Sequence, residues 1–157
     1  METEPLHVQE RDGDRLRREL RVIYDDLARE VAEAGPVCEL SGRCCRFAEY
    51  DHTLFLSAME AEILTADAPP PSRPLDDGAS CPWQDHAGRC TAREARPLGC
   101  RVYFCEPSYQ ERSHELSERF LSRLKCLANE LNRSWGYAPL HQHLRAAEAA
   151  GFWPGRR

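Results

Sequence analysis

Residues 12–36 read DGDRLRRELRVIYDDLAREVAEAGP, and their spacing decides the architecture. Leu16, Leu20, Ile23, Leu27 and Val31 recur at steps of four, three, four and four, which puts them on one stripe of an α-helix over residues 12–34. Gly35-Pro36 ends it, because glycine accepts the left-handed turn at a helix C-terminus and proline cannot continue the ladder. Working outward, Pro107-Ser108-Tyr109-Gln110-Glu111 reads as a second helix start, and Leu116, Phe120, Leu124, Leu127 and Leu131 carry a matching stripe toward residue 133. A last helix is expected from Leu140 to Ala150. The C-terminal helices thus occupy residues 108–150.

Between the two long stripes lies a different kind of chain. Cys38, Cys44 and Cys45 stand in a glycine-containing loop, and Cys81, Cys90, Cys100 and Cys105 fall between Ser80 and Glu106. Thr53-Leu54-Phe55-Leu56 suits a short strand, and Ser57-Ala58-Met59-Glu60 is a capping box opening a helix to about Thr65. Ala68-Pro69-Pro70-Pro71-Ser72-Arg73-Pro74 has too few donors for a helix and reads as an extended connection. Asp85-His86-Ala87-Gly88 predicts a hairpin turn between Cys81 and Cys90. Thr91-Ala92-Arg93-Glu94 predicts a capped single turn stopped by Pro97. The expected fold is a single mainly helical α+β domain over residues 1–157. In it, two long helices flank an irregular cysteine-rich metal-binding centre (38–105) with a small hairpin.

A chain of 157 residues can bury roughly two-thirds of its surface without a metal staple. The eight cysteines therefore need a reason beyond core building. The opening METEPLHVQERDGDRLRREL is polar, and no stretch has the apolar length that spans a bilayer, so the expectation is a cytoplasmic protein with no membrane partner. In a reducing compartment, dense cysteines hold metal more often than disulfides; in a secreted chain the even count would suit four disulfides. The net charge of −5 argues against a general electrostatic grip on nucleic acid.

Seven cysteines exceed the four ligands of one zinc ion or one iron-sulfur cluster, so either some are spare or there are two metals. Cys126 sits inside the second long helix beside Leu127 and reads as a small buried hydrophobe. Arg43, Arg46, Arg89, Arg96 and Arg101 each stand within four residues of a cysteine. They suit the offsetting of thiolate charge, or else pairing with Glu39, Glu49 and Glu94. His52 and His86 are the histidines near the cysteine segments. There is no CxxC pair, Gly-rich phosphate loop or HExxH. Tyr50, Trp83, Tyr103 and Phe104 are expected to pack around the centre.

Gly42-Arg43-Cys44-Cys45-Arg46, Cys81-Pro82, Gly88-Arg89-Cys90 and Arg96-Pro97-Leu98-Gly99-Cys100-Arg101-Val102-Tyr103-Phe104-Cys105 resemble the YkgJ-type cysteine-cluster family, a proposed zinc- or iron-chelating domain with a CxxCxxCC opening. The chain departs from that pattern in having one cysteine fewer in the opening and three residues between Arg101 and Cys105. The resemblance implies Cys38, Cys44, Cys45, Cys81, Cys90, Cys100 and Cys105 as metal-site residues, with zinc or iron, an iron-sulfur cluster included, as cofactor. A similar cysteine pattern occurs in flagellin lysine-N-methylases, but no second region here offers a methyl-donor site.

Three functions follow, in order. The first is a metal centre with a structural, electron-transfer or metal-handling role, held by Cys44, Cys45, Cys100 and Cys105 with Cys38, Cys81 and Cys90 completing or flanking it. The second is a metal-dependent enzyme with an open coordination position and His52, Asp51 or Glu49 as acid or base. The third is a metal-stapled module that docks a protein partner.

Overall fold

A computed structural model describes residues 11–36 and 42–152. Helix α1 spans Asp12–Ala34, with Gly35 in the left-handed conformation (φ 70°) donating its N–H to Val31 O. Its stripe buries Leu16, Leu20, Ile23, Tyr24 and Leu27. After the cysteine loop come a two-residue strand β1 (Phe55–Leu56) and helix α2 (Ala58–Asp67). The capping box at the start of α2 is formed in both directions, Ser57 Oγ accepting from Glu60 N–H and Glu60 accepting from Ser57 N–H.

Helix α3 (Leu98–Val102) is a single turn, α4 runs Gln110–Glu130, and strand β2 (Ala138–Pro139) leads directly into α5 (Leu140–Ala149). The fold is mainly helical with one small antiparallel sheet, as the patterning predicts. The sheet pairs β1 with β2, Phe55 opposite Pro139 and Leu56 opposite Ala138. The expected 85–88 turn is formed by Gly88 N–H bonding to Asp85 O, and it carries an isolated bridge between Gln84 and Cys90.

The long helices bracket the cysteine segment in sequence and pack against each other in space. Leu16, Leu20, Ile23 and Leu27 of α1 meet Leu116, Phe120, Leu124 and Leu127 of α4, joined by Met59, Leu98 and Val102. Arg123 pairs with Asp26 at 2.8 Å, and Arg119 and Arg112 both reach Glu30 across the same seam. A second apolar cluster gathers Cys45, Phe47, Leu54, Leu56, Leu64, Cys81, Trp83, Leu140 and Leu144 around the cysteine loops. Helix α2 feeds both clusters, Met59 to one and Ala61 and Leu64 to the other.

Two sequence expectations about the helices change. Cys126 is exposed on α4, because its place in the helical period falls outside the stripe of Leu124 and Leu127. Thr91 caps no helix; its hydroxyl donates to Trp83 O, and a 3-10 turn forms over Arg93–Ala95 without a side-chain cap.

Candidate metal centre

The cysteine loops are held together by specific close approaches. Gly42 has φ +72°, and a Cβ there would lie 2.4 Å from Gly88 O and 2.6 Å from Gln84 Nε2. Only glycine lets the loop before Cys44 touch the turn before Cys90. The Gln84 side chain, 1% exposed, staples the two by donating from Nε2 to both Gly42 O and Gly88 O at 3.1 Å. Cys81 N–H donates to Cys45 O at 2.8 Å, which fixes the third segment. Beneath them Trp83 is fully buried, its indole N–H donating to Pro69 O at 2.8 Å. The proline-rich connection thereby wraps the floor of the site.

Helix α3 brings the remaining thiol. Gly99 faces β1 so closely that a Cβ would meet Leu54 Cδ1 at 2.7 Å. The anchor of α3 is Glu60, 2% exposed, whose Oε1 accepts from Leu98 N–H and from Tyr24 hydroxyl, both at 3.0 Å. The same carboxyl closes the α2 capping box, so one buried acid ties α1, α2 and α3 together. Burial raises its pKa against the pull of these donors.

The outcome is that Cys44, Cys45, Cys81, Cys90 and Cys100 line one cavity of about 20 Å³, with Arg96 beside them. Cys44 Sγ and Cys45 Sγ are 4.0 Å apart. Cys45 shares hydrogen bonds with Cys44, Cys81 and Cys90, which pushes its own thiol pKa far up. The reciprocal effect lowers its neighbours from 9.0, Cys44 to about 7 and Cys90 to about 6, each chiefly through the bond with Cys45. Burial, then the charges of Cys81, Cys44 and Cys90, push Cys100 well up, while Arg96 opposes them. Among the described residues, no three His, Cys, Asp or Glu side chains already stand as an ion cage.

Neither a protein-family model, nor a curated protein, nor a solved structure matches this chain. The site therefore has to be read from its own chemistry.

That chemistry fits a soft divalent cation. Tetrahedral Zn–S bonds of about 2.3 Å imply sulfur–sulfur edges of about 3.8 Å, close to the contact between Cys44 and Cys45. A cavity of this size admits one ion, since about 10–15 Å³ already holds a water molecule. Cys45, hydrogen-bonded to Cys44, Cys81 and Cys90, is the thiol around which such a site would gather.

The other candidate residues lie elsewhere. Cys105 does not line the cavity; it hydrogen-bonds with Tyr103. Cys38 falls outside the described residues. His52 lies between Phe47 and Tyr103 with its ring tilted to both, at ring distances of 5.5 and 5.2 Å, and burial lowers its pKa. His86 is exposed on the turn, Asp51 is exposed with φ 47°, and Glu49 pairs with Arg46. Of the five arginines, Arg96 is the one at the small cavity. Arg43 and Arg46 lie over Tyr50, which is exposed rather than packed at the centre, and Arg101 lies 4.0 Å over Tyr24.

Gln84 escaped sequence reasoning, and Gly42 and Glu60 entered it only as a motif glycine and a capping residue. For Glu60 the capping box located one of its bonds, but nothing local signals the partner Leu98, 38 positions away.

Proposed function

We propose that this chain binds a single zinc or iron ion through a thiolate site built from Cys44, Cys45, Cys81 and Cys90, with Cys100 as a fifth thiol at its edge. The observation that carries the reading is the convergence of five thiols, from three separate stretches of chain, on one ion-sized cavity. The cavity volume favours one ion over a polynuclear cluster. Cys44 and Cys90, already lowered to about 7 and about 6, would give up their protons readily, and metal binding would displace the proton that Cys45 otherwise keeps. Arg96 supplies positive charge against the net negative charge of a thiolate-rich site.

All seven cysteines of the described residues are free, which suits a reducing compartment such as the cytoplasm. Among the described residues no helix is long and apolar enough to cross a membrane. The resemblance to the YkgJ-type cluster points to the same chemistry. A bound ion would join the 42–46 loop, the 81–90 turn and α3, supplying structural closure; the fifth thiol gives the site a route for ligand exchange and hence for metal handling.

Titrating the metal-free protein with cobalt(II), a coloured stand-in for zinc, tests this. Intense thiolate-to-metal absorption saturating at one cobalt per chain is expected, and Cys81→Ser should weaken it. Absence of thiolate bands, or bands that survive both Cys45→Ser and Cys81→Ser, would reject the site.

A further inference from the structure

A larger cleft of about 580 Å³ opens between α1 and the cysteine loops, with Cys44, Cys45, Cys90 and Cys100 among the groups lining it. Its volume is that of a small-molecule site. Ala28 and Val31 of α1 and Phe104 beyond α3 supply an apolar wall. Beside Arg101, which lies over Tyr24, the guanidinium groups of Arg89, Arg93 and Arg96 line it with no carboxylate among its described lining residues, the thiols Cys44 and Cys90 being the groups there that can turn negative. In a chain with 26 acidic and 21 basic residues this is a local inversion of charge. None of these three guanidinium groups forms an ion pair with a carboxylate among the described residues, whereas Arg17, Arg112, Arg119, Arg123 and Arg133 all do. Arg89 and Arg93 are exposed, and Arg96 spends its Nε on Arg93 O. Their remaining donors are available to an oxyanion.

We propose that this cleft binds a small organic anion, with a carboxylate or phosphate head held by Arg89, Arg93 and Arg96 and an apolar body laid along Ala28, Val31 and Phe104. The cleft needs no metal for this, because the guanidinium charges are permanent. With a metal in the thiol cavity, the ligand would lie over it, since Cys44, Cys45, Cys90 and Cys100 border both spaces. The proposal thus goes beyond the metal reading and stands or falls separately from it.

Isothermal titration of the purified protein with phenyl phosphate, benzoate, phenol and inorganic phosphate tests both halves. Saturable binding at one site is expected for phenyl phosphate or benzoate. Phenol, which lacks the charge, and inorganic phosphate, which lacks the apolar body, should bind at least about tenfold more weakly. Preference between the two organic anions tells phosphate from carboxylate. The double variant Arg89→Ala/Arg93→Ala should lose at least about tenfold, the worth of one charge-assisted hydrogen bond. Arg93→Lys should lose less, and Arg119→Ala on the far seam should bind like the parent. Both Arg89 and Arg93 are exposed, so the fold should tolerate the change, which circular dichroism verifies. No saturable binding by either organic anion, equal binding of phenol, or affinity unmoved in the double variant would overturn the proposal.

Discussion

Replacing Glu60 by alanine should be among the most damaging single changes outside the cysteines. The side chain is 2% exposed and accepts three hydrogen bonds, from Tyr24 hydroxyl, Leu98 N–H and Ser57 N–H. Each buried donor left without a partner costs about 1–3 kcal/mol, so the gross loss is about 3–9 kcal/mol. Part is returned, because the variant no longer buries an acid whose desolvation is visible in its raised pKa, and the net loss should be about 2–4 kcal/mol. For a domain of this length that corresponds to a fall in Tm of about 5–12 °C. Glu60→Gln retains an oxygen for Tyr24 and Leu98 and forfeits the bond from Ser57, so about 1 kcal/mol is expected.

The pH dependence has a definite sign. Because the folded pKa lies above the ordinary 4.5, the native state holds more protons than the unfolded chain between those two values. The contribution of Glu60 is full below 4.5 and declines as pH rises through the folded pKa. The stability advantage of the parent over Glu60→Gln should therefore shrink on going up from pH 4. Thermal unfolding by circular dichroism at several pH values measures both effects. A Tm for Glu60→Ala within about 1 °C of the parent, or a parent advantage that grows with pH, would refute the role assigned to this carboxyl.

Gly42→Ala drives a methyl group into Gly88 O and strains a left-handed backbone, so metal content and thermal stability should both fall; a fully loaded variant would show that the two loops need not touch. Cys126→Ser should leave metal content unchanged because that thiol is exposed on α4, whereas Cys45→Ser should reduce it at least severalfold, as elemental analysis of the two variants will tell. In metal-free protein, alkylation of Cys90 followed by peptide mass spectrometry should slow only as pH drops through about 6, where an ordinary thiol slows below about 8.5. Removing the thiol of Cys45 should shift that midpoint upward.

The parts of the fold that local chemistry encodes were legible in the sequence. The stripe from Leu16 to Val31 with Gly35 behind it specified α1, and Ser57 with Glu60 specified the start of α2. Proline and glycine marked the connection at 68–74 and the turn at 85–88. The relations between distant segments were not legible. The pairing of Leu56 with Ala138, the approach of Gly42 to Gly88 and the hold of Glu60 on Leu98 depend on tertiary packing that no local pattern reports. Helix α3 is one turn long, too short to show a period. Cysteine counting singled out seven residues as a group; the geometry brings Cys44, Cys45, Cys81, Cys90 and Cys100 together and leaves Cys105 with Tyr103. Cys126 misled because proximity to Leu127 in sequence says little about burial when a helix turns about 100° per residue.

The most direct test of the account is the metal content of protein purified without oxygen, read by native mass spectrometry together with elemental analysis. One zinc or iron per chain, lost together with its mass in Cys45→Ser and retained in Cys126→Ser, is the expected result. A metal-free chain with all its thiols reduced and titratable, or one whose cysteines had closed into disulfides, would contradict it.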